Sequence, residues 1–444
     1  MKNINWIINI LFLLVNLHII RVIYIYFGLI IYLFYGLILF IIYKNRINLN
    51  VSSLKIKKSP VLLTFIFFGV YFIIINLSVL LDFDYKSNLS LLYLGKINFT
   101  YPIVIFFIVV INKFNVFKNL TMMYLVFNII SCFFLLLSVY YNNNTFLQNE
   151  YFSFKIRDGL ERYSTLYGSV GQTGYSLSAS LVIGMMLHLN NKYKIIIISV
   201  LSTGACLSLS RAGYYNIFLA LILFILLYPN NYINKIKSLG IFLISIFVIT
   251  PITLYIIGLF GYYNHFLYNV FNINIMGVDY VNAVSPPAYV NIYDRIAYSL
   301  FNDLKLLFNE NIYSITDLIR GYGYKGLGIS LGMFPGSDII YIHNGFYEIL
   351  ISGGILFFSL FILLVYFTLY ALYKFDGRIK NIELLYYNRM VIASIIIIII
   401  NLMMGASVFH PNLISFFWMG ISYSIIIQIF DYEFENKIKL TGDF

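Results

Sequence analysis

Long apolar stretches recur along almost the whole of this 444-residue chain, and they limit the folds that it can adopt. A helix of about 20 apolar residues is long enough to cross a bilayer. Within the bilayer only helices and closed barrels satisfy their own backbone hydrogen bonds. The sequence therefore predicts an all-α polytopic integral membrane protein, a single membrane domain of about twelve transmembrane helices. The candidate spans lie near residues 4–20, 22–43, 61–81, 101–112, 120–140, 169–189, 195–209, 213–228, 239–260, 346–373, 390–408 and 413–430.

The composition supports a membrane protein and argues against nucleic acid as a partner. The chain is 61% hydrophobic and 11% charged, which is unlike a soluble domain. Its net charge of +11 comes from residues in loops between the apolar stretches, where basic residues set topology and attract anionic lipid. Cys132 and Cys206 both lie inside apolar stretches, so the sequence holds no disulfide framework and no cysteine metal motif.

Lysine and arginine separate to opposite sides of the predicted membrane. With the N-terminus inside, the inner segments hold 18 of the 29 basic residues, including fifteen of the twenty lysines. This asymmetry follows the rule that cytoplasmic loops are positive, and it predicts that both termini are cytoplasmic. Six of the nine arginines nevertheless lie on the outer side. Because a guanidinium group matches phosphate geometry, they indicate an anionic, phosphorylated substrate at the outer face.

Two outer segments are long enough to carry function, residues 141–168 and about 261–345. Long loops in compact proteins are often functional. Within the second, residues 294–308 place apolar side chains at helical spacing, which predicts a short amphipathic helix. That pattern fits a helix on the membrane surface and a helix that packs over the bundle equally well.

The long loop ends in His343-Asn344, and Glu348 follows inside the tenth span. A histidine at the mouth of a helix bundle can act as a base near neutral pH. A lone histidine also fits an interfacial group that binds water. An acidic residue inside a span costs free energy to bury in the membrane, so it suggests a function. Glu348 could equally be a structural partner of a loop arginine.

The other candidate residues are arginines next to small residues. Arg320 precedes Gly321-Tyr322-Gly323, which lacks the spacing and the Lys-Ser/Thr ending of a nucleotide-binding loop. Arg211 lies in the step between the seventh and eighth spans, where an arginine can also simply reach the interface. Arg157 and Arg162 stand beside Asp158 and Glu161, so a local ion-pair cluster also explains them.

Taken in order, these fragments resemble the O-antigen polymerase and O-antigen ligase superfamily of bacterial membrane glycosyltransferases. The resemblance covers roughly residues 155–370. It rests on an arginine loop before a span, a Ser-Arg-small-Gly step, and a long loop that carries an arginine helix, Gly-x-Gly and a final His-Asn. The residues that carry it are Arg162 with Tyr167-Gly168, Ser210-Arg211-Ala212-Gly213, Asp294-Arg295, Gly321-Tyr322-Gly323, and His343-Asn344 with Gly353-Gly354.

The chain departs from the family pattern at three places. These departures weaken the assignment to a subfamily more than the assignment to the superfamily. Ser299 stands where an aromatic residue is expected one turn after the loop arginine. No proline precedes Gly321, and Gly171-Gln172 replaces a Pro-Asn pair.

The resemblance implies an enzyme of the bacterial cytoplasmic (inner) membrane that needs no cofactor and no metal. It would move a glycan from an undecaprenyl diphosphate carrier to a sugar hydroxyl, with inversion by direct displacement. Its other partners would be the bilayer and, as an open question, a chain-length regulator. In this interpretation the catalytic residues are His343, as base, with Arg211 and Arg295 on the diphosphate. The substrate-binding residues are Arg157, Arg162, Arg320, Tyr322, Asn344 and Glu348.

The leading hypothesis is a polymerase of O-antigen or capsule repeat units. The first alternative is an O-antigen ligase, which uses the same donor and passes finished polymer to the lipid A core. The second is a flippase or transporter of lipid-linked oligosaccharides, a class that places charged residues near the membrane midplane. The predicted spans are almost free of charge, which favours an enzyme over a transporter.

Overall fold

The computed structural model describes residues 59–81, 114–141, 154–157, 160–163, 165–166, 173–187, 189–229, 232–278, 319, 344–403 and 415–429. In these ranges the protein is mostly helical, with one short hairpin. The elements are α1 (Pro60–Leu81), α2 (Phe114–Tyr140), β1 (Phe154–Arg157), β2 (Leu160–Tyr163), α3 (Thr173–Met186), α4 (Asn191–Leu207), α5 (Arg211–Leu227), α6 (Tyr232–Ile244), the π-helical turn π1 (Ser245–Ile249), α7 (Thr250–Ile256), α8 (Phe260–Phe271), α9 (Gly345–Asp376), α10 (Ile382–Met403) and α11 (Ser415–Ile429).

Four helical segments in the described ranges are long and apolar enough to cross a membrane. They are Phe114–Tyr140, Asn234–Ile256, Gly353–Asp376 and Ile382–Met403. A membrane protein is therefore supported, while the number of about twelve spans stays a prediction. Three predicted spans, 4–20, 22–43 and 101–112, lie outside the described residues.

Most helix boundaries fall within a few residues of the predicted spans, with larger differences at the starts of α2, α6 and α10. Helix α2 begins at Phe114, six residues before the predicted start, and so takes in most of the predicted inner loop 113–119. The rings of Phe114 and Phe117 both pack edge-on against Tyr387 of α10. Burial of these two aromatic rings stabilises the additional turns of helix.

The core of the bundle lies around α3, which contacts α2, α4, α5 and α10. The segment Asn234–Ile256 lies further out, and Tyr255 and Ile256 are among its most exposed apolar residues. Polar side chains also occur in the core. Asn216 of α5 donates to the Oδ1 atom of Asn401 of α10 at 2.8 Å, and both residues are buried.

Helices α5 and α9 each run from one end of the bundle to the other, so two ends can be distinguished. We call one the lysine end: here Lys118 pairs with Glu383, and Arg389 pairs with Asp376. Arg389 also donates to the Leu227 carbonyl at 3.4 Å, which joins the ends of α5, α9 and the start of α10. We call the opposite end, with the hairpin, the α4–α5 junction and the first turn of α9, the arginine end.

The predicted outer segments contain structure that the all-α prediction did not include. Residues 154–163 form an antiparallel two-stranded hairpin in which Lys155 pairs with Arg162 and Arg157 pairs with Leu160. The long loop predicted from residue 261 begins as the buried helix α8. The amphipathic helix predicted at 294–308 lies outside the described residues.

Two helices change geometry partway along. The turn π1 ends at Thr250-Pro251, where proline cannot donate a backbone hydrogen bond. The backbone amide and the hydroxyl of Thr250 both donate to the Ser245 carbonyl, the hydroxyl at 2.9 Å. In α9, Gly354 adopts φ 72° and ψ −176°, a conformation that favours glycine. The Tyr71 hydroxyl donates to the neighbouring Gly353 carbonyl at 3.0 Å.

Candidate functional site

Arg162 joins two of the motifs that the sequence singled out. It lies in β2 and is buried, with only 9% of its surface exposed. Its Nε atom donates to the Ser208 carbonyl oxygen at 2.8 Å, across 46 residues of sequence. The bond attaches the hairpin to the C-terminal end of α4, where helix carbonyls lack partners within the helix. The predicted arginine loop, which contains Arg162, is therefore in direct contact with the turn that holds the Ser-Arg step.

The junction between α4 and α5 is a tight turn held by two serines. The Ser208 hydroxyl donates to the Ala205 carbonyl at 2.7 Å, and the Ser210 amide donates to the Ser208 hydroxyl at 3.2 Å. Ser210 caps α5 by accepting from the Gly213 amide at 3.4 Å. Leu209, between the serines, is fully buried and adopts φ 48°, a strained conformation for a residue with a Cβ atom. The turn therefore fixes Arg211 as the first residue of α5.

The N-termini of α3 and α5 lie side by side at this junction. A Cβ atom on Gly174 would come within 2.8 Å of the Gly213 amide nitrogen and would also collide with the Ser210 side chain. The positive ends of two helix dipoles are therefore brought together, beside Arg211 and Arg162. This concentrates positive potential at the arginine end.

The hairpin adds further basic residues beside the junction. Residues two apart in a strand share a face, so the register places Lys155, Arg157 and Arg162 on the same face.

The hairpin also contacts α8. The Tyr163 hydroxyl donates to the Glu161 carboxylate at 2.5 Å, and the Tyr262 hydroxyl of α8 donates to the Glu161 carbonyl at 2.7 Å. Burial raises the pKa of Tyr163, and its hydrogen bond to Glu161 and the charge of Glu161 raise that pKa further. Burial also raises the pKa of Tyr262. Both phenols therefore remain protonated at neutral pH and act as donors.

Asn344 and Glu348 lie at the start of α9. Asn344 is buried and caps the helix, and its side chain accepts from the Phe346 amide at 3.0 Å. Glu348 lies in the first turn and is partly buried. An acidic residue in a first turn interacts favourably with the helix dipole, so a structural role for Glu348 also fits.

The structure brings together some of the predicted site residues, and the others lie outside its described part. Arg162 contacts the turn that leads into Arg211, and Arg157 lies in the other strand of the same hairpin. For Arg157 and Arg211 the backbone is described and the side chains are not. The remaining predicted residues, which lie outside the described ranges, are Arg295, Arg320, Tyr322 and His343.

Sequence reasoning missed two features of this end. The hairpin had a signal: Asp158-Gly159 is a strong turn dipeptide, and Phe154-Lys155-Ile156-Arg157 alternates apolar and basic residues before it. The second feature is His265, which is fully buried in α8 and lies 2.9 Å from the Tyr214 hydroxyl. No local pattern marks His265, because its neighbours are aromatic residues and asparagines.

The N-termini of α3 and α5 lie together at this end, and Arg162 and Arg211 follow the chain to the same place, which gives the end a positive charge that an anion would need. Among the described residues, no group of three or more histidine, cysteine, aspartate or glutamate side chains is placed to hold a metal ion. Comparison with models of known families, with curated proteins and with solved structures finds no match to this chain.

Proposed function

We propose that the protein is a polymerase of O-antigen or capsular polysaccharide repeat units at the outer face of a bacterial cytoplasmic membrane. It transfers a growing glycan from undecaprenyl diphosphate to a carrier-linked repeat unit. The observation that carries the proposal is the bond from Arg162 Nε to the Ser208 carbonyl. It joins, at one end of the bundle, two of the motifs on which the family resemblance rests.

The chemistry needs positive charge at this place. The acceptor hydroxyl attacks the anomeric carbon, the bond to the diphosphate oxygen breaks, and the leaving group carries the growing negative charge. Fixed arginines and helix N-termini stabilise such charge without reorganising during the reaction. Arg211 at the start of α5 and the basic face of the hairpin are the described residues placed for that role. In this proposal Arg295 adds to the same charge.

The acceptor hydroxyl also has to lose a proton. His343 is the proposed base, and it directly precedes Asn344, whose buried side chain caps α9. A cap of this kind fixes where α9 begins.

A ligase is the first alternative, because it uses the same donor and needs the same anion site. A flippase or transporter is the second. Within the described helices the charged residues lie near the ends, such as Lys118 in α2 and Lys374 in α9, and this distribution disfavours a charged path through the middle of the bundle.

The test is complementation of a strain that lacks the gene, read by a surface-polysaccharide gel and by analysis of carrier-linked lipids. We expect single repeat units on the surface without the protein and a full ladder with the wild type. Arg295→Ala and His343→Ala are expected to give no ladder at normal membrane levels, and Arg378→Ala, at the lysine end, is the matched control that restores it. Long polymer retained on the carrier lipid would instead indicate a ligase, and repeat units retained at the cytoplasmic face would indicate a flippase.

A further inference from the structure

Helix α8 is folded back onto the arginine end of the bundle. It follows a turn at Gly258, whose φ of +75° requires glycine. Its residues Tyr262 to Leu267 and Asn269 are buried, and it contacts α4, α5 and α7. The ring of Phe266 packs against Tyr214 and Phe218 of α5. The helix therefore covers the outer side of the α4–α5 junction.

Both ends of α8 are held by polar contacts. Near its start, Tyr262 donates to the hairpin at Glu161, as described above. The Asn264 side chain accepts from the amides of Ile275 and Met276, at 2.8 and 3.2 Å, and so holds the chain that leaves the helix. These contacts place α8 against the same hairpin that carries Arg162.

A chain of hydrogen bonds links the middle of α8 to the end of α4. The Asn269 Nδ2 atom lies 3.2 Å from His265 Nε2 and 3.4 Å from Nδ1. His265 Nδ1 lies 2.9 Å from the Tyr214 hydroxyl. That hydroxyl donates in turn to the Cys206 carbonyl at 3.4 Å. Cys206 is in the last turn of α4, two residues before the carbonyl that Arg162 binds.

The direction of this chain follows from the Asn269 amide. Its Nδ2 atom donates to the His265 backbone carbonyl at 2.9 Å, which fixes the end of the amide that carries the nitrogen. The shorter of the two contacts from this nitrogen is to Nε2, which favours Nε2 as the acceptor and Nδ1 as the protonated atom. With this tautomer the Nδ1 proton is donated to the Tyr214 oxygen, and the phenol proton is left for the Cys206 carbonyl.

We propose that His265, neutral and protonated on Nδ1, is a positioning residue of the candidate site. It holds Tyr214, and through Tyr214 it holds the end of α4 and the start of α5, where Arg211 begins the helix. Its relevance to glycan transfer rests on the function proposed above. The attachment of α8 does not, and it can be measured on its own.

Cys206 offers a native reporter of this attachment. It is 1% exposed and lies in the last turn of α4, a helix against which α8 packs. The experiment uses the detergent-purified full chain with Cys132→Ala, so that Cys206 is the single thiol. A small maleimide labels Cys206 at a rate that reports how often α8 opens locally.

Four further substitutions in this background separate the proposal from general destabilisation. Tyr214→Phe removes the hydroxyl, and His265→Gln places its amide where Nε2 lies and leaves the Nδ1 position without a donor. His265→Asn keeps an N–H donor near the Nδ1 position. Tyr124→Phe is the matched control, because it removes another buried hydroxyl, one that donates to the Ser176 carbonyl at 3.2 Å away from α8.

We expect Tyr214→Phe and His265→Gln to label roughly 5- to 100-fold faster than the parent, the range that loss of one buried hydrogen bond implies. His265→Asn and Tyr124→Phe should stay within about threefold of the parent. Parental labelling rates in Tyr214→Phe and His265→Gln would overturn the proposal. Equal rates in His265→Asn and His265→Gln would overturn the assignment of the Nδ1 proton.

Complementation of the deletion strain separates this inference from the proposed function. At equal membrane levels, His265→Asn should restore long polysaccharide and His265→Gln should not. Labelling as expected, with a normal ladder in Arg295→Ala, would contradict the proposed function and leave the attachment of α8 in place. Unchanged labelling, with the ladder lost in Arg295→Ala, would overturn the inference about His265 alone.

Discussion

At the scale of single residues, the arginine end depends on a guanidinium group that binds a backbone carbonyl. Arg162 is buried, and its planar guanidinium group holds the Nε–H bond in a fixed direction, toward the Ser208 carbonyl. Lysine carries the same charge but lacks a donor at that position. The charge of Arg162 is therefore insufficient to explain its place in the structure.

This gives a prediction for Arg162→Lys. Loss of the bond to Ser208 should lower the free energy of unfolding by about 2 kcal/mol, because the carbonyl and the ammonium group are left poorly paired in a buried place. The thermal stability of the detergent-purified variant, compared with the wild type, measures the change. Arg378→Lys, at an exposed position of the lysine end, is the control. Wild-type stability in Arg162→Lys would mean that the hairpin is held elsewhere.

The sequence identified Arg162 as a candidate but did not identify its partner. A backbone carbonyl has no sequence signature, and Ser208 is 46 residues away. His265 was missed for a related reason, since its partners Tyr214 and Asn269 become meaningful only when α8 folds back onto α5. Arg162 could therefore be predicted as a candidate residue. The contacts of Arg162 and His265 could not be predicted, because they form only when the helices pack together.

At the scale of elements, the approach of α3 to α5 depends on Gly174. A Cβ atom there would meet the Gly213 amide nitrogen at 2.8 Å, and backbone cannot move aside without separating the two helices. Gly240 in α6 is also a helical glycine, but nothing lies within 4 Å of its added Cβ atom. The two positions make a matched pair for the same substitution.

We predict that Gly174→Ala and Gly240→Ala change stability in opposite directions. Gly174→Ala should destabilise the protein by about 1–3 kcal/mol, the usual cost of overpacking. Gly240→Ala should be neutral or stabilise by up to about 1 kcal/mol, because alanine has the higher helix propensity. Thermal unfolding of both variants under identical detergent conditions tests this. A stable Gly174→Ala protein would contradict the close contact between α3 and α5.

The ends of most long helices could be predicted, because runs of apolar residues and their polar boundaries carry that information. The start of α10 at Ile382, eight residues before the predicted span, could not, because Glu383 and Arg389 made this stretch look like a loop. In the structure Glu383 pairs with Lys118, and Arg389 pairs with Asp376. Ion pairs with distant helices thus extend a helix beyond its apolar part.

At the scale of the whole molecule, the two ends of the bundle should lie on opposite sides of the membrane. We predict that single cysteines at Asn190 and Lys380, both exposed at the lysine end, are protected from a membrane-impermeant maleimide in spheroplasts and labelled after lysis. Cysteines at Tyr141 and Ile275, exposed at the arginine end, should be labelled in both cases. The background is Cys132→Ala with Cys206→Ala. The reverse pattern would invert the topology, and the proposed outer site with it.

The break at Gly354 bears on the depth at which α9 begins. The 24-residue segment Gly353–Asp376 is about 36 Å long, slightly more than the roughly 30 Å hydrocarbon core that it would cross. The break then lies at the edge of the hydrocarbon, and Glu348, six residues earlier, lies about 9 Å beyond it. That is the layer of lipid phosphates. Because the break separates the first turns of α9 from its apolar part, the lipid-linked diphosphate of the proposed substrate would meet these turns at the depth of the headgroups.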